Sequence, residues 1–361
     1  MDFYFPIAQV QINIFTVLIL SFTVGFLSGI FGIGGGFLMT PILIFLGIPA
    51  AYAVSNVANN ILGISVSGAT THWYKKTLDY KMGIMIVIGG LVGSLIGIEI
   101  FKYLREVGNI NTIIALAYIY LLVIIGTIIF VQGVKELSDL KKKVVVKKKL
   151  HTHYWIHGLP FRMRFSKSKL YESALTPITL GFLVGIFASI MGIGGAFLMV
   201  PAMIYLIGMP TKLIPGTSLF VTIFITAFVV LGHALQFKSI DVSLVSFLLL
   251  GSIIGLHLGL KVAEKLNATE YKALLALLLI VFGIFIGVET FVLDSNTKVL
   301  SPRPSSELSN LSLLIIKLAK NSPITYASLS LIFVVFVGFA FSYIRELIHH
   351  FRFSKKEGAK S

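Results

Sequence analysis

The chain has 361 residues, of which 56% are hydrophobic and 12% charged, and its mean hydropathy is +0.93. Since a soluble domain carries about 25% charged residues, this composition excludes a soluble globular protein and predicts a multi-pass protein of the cytoplasmic membrane. The absence of cysteine excludes disulfides, thiol catalysis and cysteine-ligated metals.

The formal net charge is +15, and its distribution argues against a nucleic-acid partner. Of the 30 Lys and Arg residues, 11 lie between Lys135 and Lys169 and five follow Tyr343. Basic clusters beside membrane spans are typical of cytoplasmic loops and attract anionic lipid. Membrane lipid is therefore a predicted partner, and nucleic acid is not.

Apolar segments follow one another along the chain, and many reach the ~18–20 residues that span a bilayer. Before the first of them Asp2 is the only charged side chain, so the basic region of a secretory signal is missing and the first helix is expected to be retained. The segments cover about 13–31, 37–47, 51–73, 82–101, 111–132, 174–191, 197–208, 213–236, 242–262, 271–292 and 325–345.

The second half of the chain repeats the first. The run GIGGGFLMTP at 32–41 returns 160 residues later, at 192–201, as GIGGAFLMVP. A shift of 161 aligns His72 with His233, and a shift of 162 aligns Asp79 with Asp241. A drift of two residues over some seventy positions indicates an internal duplication.

Each glycine run separates a long apolar segment from a short one of ten to twelve residues, which covers only ~15–18 Å, about half a bilayer. Each half is thus predicted to hold a broken or re-entrant element followed by three spans. If that element returns to its own side, the halves are inverted, and if it crosses, they are parallel. With the central basic loop in the cytoplasm, inversion places 12 Lys and Arg inside and 7 outside, and the parallel arrangement 8 and 11. The positive-inside rule favours inversion without deciding it, because Lys102 and Arg105 lie outside in both.

These features predict an all-α, polytopic transmembrane bundle built from two repeats, with helices broken at the glycine runs. Its predicted parts are a first repeat (1–132), a basic cytoplasmic linker (133–173), a second repeat (174–292), a loop (293–324), an additional helix (325–345) and a basic cytoplasmic tail (346–361).

The glycine runs are the candidate substrate site. Glycine permits positive φ, and a helix that starts after such a turn presents unpaired N–H groups and a partial positive charge. In a low-dielectric surrounding this makes an anion site without a cationic side chain, provided that a solute has room beside the turns. The alternative is that the glycines only let helices touch. The candidate backbone contacts are Gly34, Gly35, Gly36, Gly194 and Gly195.

Polar side chains at membrane depth follow in the next helix of each half. Asn56 and Asn59 in the first half, with Thr217 and Ser218 in the second, are predicted to line the path of a polar solute. Interhelical hydrogen bonding and N-capping near the helix starts are the alternatives.

The helix after that carries glycines at a four-residue spacing in both halves. Such a ladder on one helix face predicts close helix–helix contact rather than a ligand role. The two ladders are Gly89, Gly93 and Gly97, and Gly251, Gly255 and Gly259.

Three histidines are candidates for proton coupling, since ionisable groups within spans are rare. His257 has the apolar Leu95 as its counterpart, so it stands outside the shared core. His72 and His233 occupy equivalent helix ends, where anchoring at the membrane interface is the alternative.

No cofactor, metal or enzyme activity is predicted. His151, His153 and His157 in the linker have a loose metal-like spacing, but neither a scaffold nor a cysteine accompanies them. The sequence contains no phosphate-binding loop of the Walker type and no credible nucleophile–base constellation, so neither ATP hydrolysis nor intramembrane catalysis is expected.

With its duplicated Gly-Ile-Gly-Gly-Gly/Ala-Phe…Pro run, its paired histidines and its glycine ladders, the chain resembles the TauE/SafE family of sulfite-exporter-like permeases over about residues 13–292. The resemblance implies a secondary transporter of sulfite, sulfonates or related small organic anions. The chain departs from the pattern at Ala196, where the first run has Gly36, and in its basic linker and last apolar segment.

The predicted function is therefore secondary transport of a small anion, such as sulfite or an organosulfonate, by alternating access. An anion channel is the nearest alternative, and a membrane sensor or anchor that acts through the basic linker is another. The identity of the anion, the direction of transport, the coupling ion and the oligomeric state, including a homo-oligomer, stay open.

Overall fold

The computed structural model describes residues 2–8, 10–108, 113–114, 116–127, 131, 160–291, 317–318 and 320–357. Within these ranges the main helices are α1 (Ile14–Phe31), α2 (Gly36–Phe45), α3 (Ala50–Tyr74), α4 (Tyr80–Glu106), α5 (Leu116–Thr127), α6 (Leu175–Met191), α7 (Ala196–Tyr205), α8 (Ile214–Phe237), α9 (Val242–Ala263), α10 (Ala268–Phe291) and α11 (Pro323–Glu357).

The helices confirm the predicted all-α membrane bundle. Five of them, α1, α4, α8, α9 and α11, are long and apolar enough to cross a membrane, and shorter apolar helices accompany them. Most bounds follow the apolar segments of the sequence to within about five residues, because each segment is interrupted by glycine, proline or a polar turn; α11 is the exception, since it continues to Glu357, twelve residues beyond the predicted segment.

Two antiparallel hairpins were not predicted. The first, β1 (Asp2–Phe5) with β2 (Val10–Asn13), precedes α1, and the second, β3 (Arg162–Phe165) with β4 (Leu170–Ser173), precedes α6. The second hairpin is built from the last part of the predicted cytoplasmic linker. Each half of the chain therefore presents a hairpin followed by the same order of helices.

The first helix of each half packs along the fourth helix of the other half, α1 on α9 and α6 on α4. The glycine ladders form both seams, which confirms their predicted role in close packing. An ideal Cβ placed on Gly255 would lie 2.1 Å from the Phe22 carbonyl oxygen, and one on Gly93 would lie 2.0 Å from that of Phe182. Contacts advance together along both members of each pair, so the paired helices run in the same direction.

The bundle has two ends, each marked by an aspartate that holds a hairpin of the opposite half. At the Asp241 end, between α8 and α9, the Ile7 backbone N–H donates to Asp241 Oδ2 over 2.8 Å. At the Asp79 end, between α3 and α4, the Ser168 backbone N–H donates to Asp79 Oδ2 over 3.0 Å. Because each hairpin leads directly into a helix, α1 starts at the Asp241 end and α6 at the Asp79 end.

The broken elements return to the end from which they start. Helix α3 begins at the Asp241 end, where Ser55 Oγ lies 2.5 Å from Ser239 Oγ. Helix α8 begins at the Asp79 end, where the Asp79 backbone N–H donates to Thr217 Oγ1 over 3.1 Å. Thus α1 and α2 together leave and regain the Asp241 end, and α6 and α7 do the same at the Asp79 end.

Helix α11 packs against α3, α8 and α9. An ideal Cβ on Gly338 would lie 2.7 Å from the Gly63 carbonyl oxygen, so the backbones of α11 and α3 touch. Ser342 Oγ also donates to the Ser67 carbonyl oxygen over 2.8 Å. The additional helix is therefore joined to the bundle through α3.

Candidate functional site

The two glycine turns adopt the same conformation. In each turn three glycines have φ between 63° and 73°, in the left-handed region that only glycine enters without strain. The first glycine of each turn ends a long helix, and the third starts a short one. These glycines are Gly32, Gly34 and Gly35 in the first turn and Gly192, Gly194 and Gly195 in the second.

The structure brings the two turns together in the centre of the bundle. An ideal Cβ on Gly36 would lie 3.0 Å from the carbonyl oxygen of Gly192. Just beyond the turns, the equivalent rings of Phe37 and Phe197 stack with their centroids 5.9 Å apart. All predicted glycine contacts of both halves therefore belong to one buried cluster, which we call the glycine centre.

The short helices start without a side-chain cap. Neither Gly35 before α2 nor Gly195 before α7 offers a side chain to the first backbone N–H groups of its helix. The N-terminal end of a helix carries about half a positive charge, which a low-dielectric surrounding screens poorly. Both helix ends at the glycine centre thus favour a negatively charged group.

The space beside the turns is filled by Ile61 of α3. The ideal Cβ atoms of Gly34 and Gly194 would lie 3.1 and 2.9 Å from Ile61 Cγ2. Thr222 of α8, the equivalent of Ile61 at a shift of 161, lies near the same two positions, with Cγ2 3.8 and 2.9 Å from the ideal Cβ atoms of Gly34 and Gly194. The room beside the turns that the anion-site interpretation requires is therefore filled in the conformation described, and the interpretation holds only if Ile61 moves aside.

Asn56 and Thr217 make their hydrogen bonds at opposite ends of the bundle. Asn56 Oδ1 accepts from the Asp241 backbone N–H over 2.6 Å, and Asn56 Nδ2 donates to the Ser239 carbonyl oxygen over 3.1 Å. Thr217 Oγ1 accepts from the Asp79 backbone N–H in the same manner. The pair that the sequence aligns as candidate lining thus holds the two aspartate turns.

The other two polar candidates lie on different helices and serve different contacts. Ser218 Oγ donates over 2.7 Å to the carbonyl oxygen of Gly32, which ends α1. Asn59 Nδ2 donates to Ser330 Oγ of α11, while Asn59 Oδ1 is buried without a hydrogen-bond partner among the described residues. Of the four polar candidates, Ser218 is the one bonded to a glycine turn.

The three histidines occupy three different surroundings. His233 is fully buried, with Nδ1 3.4 Å from Ser55 Oγ and Nε2 3.0 Å from the Ser189 carbonyl oxygen. His72 is partly buried at the opposite end, with Nδ1 2.8 Å from Thr77 Oγ1. His257 Nε2 lies 3.2 Å from Ser67 Oγ, beside α11.

Asp79 and Asp241 are structural residues to which the sequence interpretation assigned no role. Each caps the N-terminus of the following helix and accepts backbone N–H groups from the opposite hairpin. Burial raises the pKa of the Asp241 carboxyl above its ordinary value, while hydrogen bonds from the N–H groups of Ile7 and Ala8 act in the opposite direction. Their alignment at a shift of 162 is the sequence signal that could have indicated this shared role.

Among the described residues no cluster of three His, Asp or Glu side chains is arranged to hold a metal ion. The linker histidines His151, His153 and His157 lie outside the described residues. The candidate site therefore consists of the starts of α2 and α7, which lie close to each other inside the helical bundle.

Comparisons with known proteins identify the family. Residues 17–286 match the model of the family described as sulfite exporter TauE/SafE. The chain is 28% identical over 275 residues to the probable membrane transporter protein YjnA of Bacillus subtilis, an alignment that covers 74% of this chain and 98% of YjnA. It is 25% identical to the probable membrane transporter protein YunE of the same organism, over 74% of this chain and 94% of YunE. No solved structure gives a significant match.

Proposed function

The chain belongs to the sulfite exporter TauE/SafE family, and from this premise we propose that it is a secondary transporter of a small anion, such as sulfite or an organosulfonate, across the cytoplasmic membrane. The relatives are named probable membrane transporters, and the helices make the chain a multi-pass membrane protein. The proposal adds the class of solute and the mechanism.

The observation that carries the proposal is the meeting of two uncapped helix starts at the glycine centre. Each start offers free N–H groups and a partial positive charge, and an oxyanion is the ligand that satisfies both. Broken helices whose N-termini face each other near the middle of a bundle are the arrangement that transporters use for anionic groups. Sulfite and sulfonates carry several oxygens around one sulfur, so one anion is able to accept from both helix starts.

The two halves, 1–132 and 174–292, act in this proposal as inverted repeats that rock against each other. The directions of the helices support it, since α1–α2 and α6–α7 return to opposite ends of the bundle. Movement of Ile61 from between the turns then accompanies the entry of the anion. Asn56 and Thr217 hold the aspartate turns and are given no contact with the anion.

Alanine at the turns tests the site, and the chain offers matched controls. A Cβ on Gly34 or Gly194 would point toward Ile61 and Thr222, into the space that the anion needs. Gly47 and Gly208 also have positive φ, at 88° and 74°, but an added Cβ there has nothing within 4 Å. All four variants carry the same kind of backbone strain, and two of them occlude the site.

We expect Gly34→Ala and Gly194→Ala to lower the initial rate of radiolabelled sulfite uptake into proteoliposomes at least tenfold, while Gly47→Ala and Gly208→Ala keep most of it. Comparable elution profiles in detergent would show that all four assemble. Uptake by the turn variants that equals that of the controls would contradict the site. Trans-stimulation by internal unlabelled sulfite is expected of a carrier, and its absence together with non-saturating flux would indicate a channel.

A further inference from the structure

A cavity of about 420 Å³ opens at the Asp79 end of the bundle, outside the glycine centre. Its walls come from the ends of α1, α3, α9 and α10 and from the turn before α8. Because α9 and α10 are consecutive, four separate stretches of the chain line this one cavity. Its polar lining includes His72, Lys75, Thr77, Thr211, Lys212, Lys265 and Asn267.

The cavity is positively charged. Three lysines line it from three different elements, Lys75 at the end of α3, Lys212 before α8 and Lys265 after α9. The one acidic residue in the lining, Glu264, pairs with Lys75. Within the described part of the chain, Lys212 and Lys265 have no carboxylate at salt-bridge distance, so two cationic groups are left to a ligand.

Pro215 lies between the cavity and the first glycine turn. Pro215 lines the cavity and contacts Gly32, since an ideal Cβ on Gly32 would lie 2.5 Å from Pro215 Cα. The hydroxyl of Tyr271, also in the lining, donates over 2.7 Å to the carbonyl oxygen of Phe31. This hydrogen bond and that of Ser218 satisfy carbonyls at the negative end of α1, the helix terminus that would otherwise repel an anion.

A second cavity, of about 340 Å³, lies at the Asp241 end and is lined by Lys102, Arg105, Glu106, Gln236 and Phe237. His72 lines the cavity at the Asp79 end, whereas its counterpart His233 is fully buried and does not line the second one. The rings of Phe101 and Phe237 cover His233, with centroids 4.6 and 5.2 Å from the imidazole. The guanidinium of Arg105 lies over Phe237 at 5.0 Å and covers the stack in turn.

We propose that the cavity at the Asp79 end is a vestibule in which Lys212 and Lys265 bind a small oxyanion before it passes the first glycine turn. The inference rests on the proposed transport function and adds a second, cationic site on the same path. A cleft lined by one sign of charge concentrates ions of the opposite sign by tenfold or more. Its volume suits an anion the size of sulfite or a short sulfonate.

The same lysines would also attract the headgroup of an anionic lipid, which shares the oxyanion chemistry. The vestibule is proposed for the free anion, and the membrane composition separates the two sources. A free anion binds the lysines even in a bilayer of phosphatidylcholine alone. A lipid headgroup occupies the site only when an anionic lipid such as phosphatidylglycerol is present.

The absence of native cysteine makes a direct test available. In Ala263→Cys, a unique thiol stands in the lining of the cavity, where its rates of reaction with an anionic and a cationic methanethiosulfonate are measured in phosphatidylcholine nanodiscs. We expect the anionic reagent to react about tenfold faster. Addition of Lys212→Gln and Lys265→Gln should bring the ratio close to one.

The control removes the same number of charges from the same end. Lys167 and Lys169 are exposed in the turn of the β3–β4 hairpin and do not line the cavity. Lys167→Gln with Lys169→Gln should leave the ratio unchanged. A ratio near one with all lysines present, or one that both lysine pairs alter equally, would overturn the vestibule.

Protection and transport complete the test. Methanesulfonate should slow labelling of Ala263→Cys, and it should do so without anionic lipid. Protection only by phosphatidylglycerol would make the cavity a headgroup site and overturn the proposal. In proteoliposomes, Lys212→Gln with Lys265→Gln should raise KM for sulfite presented at the Asp79 end several-fold with little change in kcat. An unchanged KM refutes the vestibule while transport stands, and an absence of flux with all residues native refutes the transport function.

Discussion

Replacement of Gly255 by alanine should destabilise the protein through the seam between α1 and α9. The added Cβ would lie 2.1 Å from the Phe22 carbonyl oxygen and must move out to the 3.4 Å at which ordinary contact begins, a displacement of about 1.3 Å. The Phe22 carbonyl oxygen belongs to the backbone of α1, so it cannot move aside by a change of side-chain rotamer. The two helices must separate, and the neighbouring contacts at Gly251 and Gly259 loosen with them.

Overpacking of this kind costs ~1–3 kcal/mol, and a backbone clash belongs at the upper end of that range. Alanine also favours a helix over glycine by ~1 kcal/mol, which offsets part of the cost. Gly287 in α10 is the matched control, because a Cβ there has nothing within 4 Å and only the gain in helix propensity applies. The two substitutions are chemically identical and are expected to have opposite signs.

The measurement is the midpoint of thermal unfolding of the purified protein in one detergent. We expect Gly255→Ala to lower the midpoint by a few degrees and Gly287→Ala to raise it slightly, at roughly 2–4 °C per kcal/mol for chains of moderate size. A Gly255→Ala variant as stable as Gly287→Ala would refute the reasoning, since the ladder would then not carry a backbone contact.

Three further predictions concern the ends of the bundle. Asp241→Ala removes the acceptor of the Ile7 and Ala8 N–H groups and the cap of α9, so limited proteolysis should cut the β1–β2 hairpin faster; an unchanged cleavage rate would mean that the hairpin is held by other contacts. Asn56→Leu and Thr217→Val should each lower the unfolding midpoint and leave KM for sulfite as it was, and a large rise in KM would instead make these side chains part of the anion path. In Ser55→Cys the thiol should be inert to a water-soluble reagent and become reactive when Phe237→Ala opens the stack over His233; equal reactivity in both backgrounds would show that the stack does not shield this position from water.

Much of the helical architecture was predictable because its signals are local. Apolar length marked the helices, and the glycine runs marked the breaks at 32–35 and 192–195, where positive φ leaves glycine as the unstrained choice. The four-residue glycine spacing likewise predicted a close helix–helix contact. It places the glycines on one face of the helix, and this holds whichever helix packs there. The hairpins escaped prediction because each strand has only four residues, which is too short for a clear alternating pattern.

The candidate site was only partly predictable. Glycine at both turns followed from the duplicated run, yet Ile61, an ordinary apolar residue of α3, occupies the space between them. Asn56 and Thr217 attracted interest as polar groups at membrane depth, but their partners are backbone groups of turns 138 to 185 residues away in sequence. A buried polar side chain must find a partner, and its own segment does not say which one.

The sequence by itself predicted a multi-pass membrane protein, the approximate extent of most of its helices, and the glycine turns at which two of its helices end. These properties depend on hydropathy and backbone freedom, which act residue by residue. Only the tertiary structure decided that the glycine turns meet, that a cavity at the Asp79 end is lined by three lysines while aromatic rings cover His233 at the other end, and which polar groups are hydrogen-bonded within the bundle. Each of those outcomes depends on contacts between segments far apart in the chain, and these contacts cannot be inferred from the local composition of either segment.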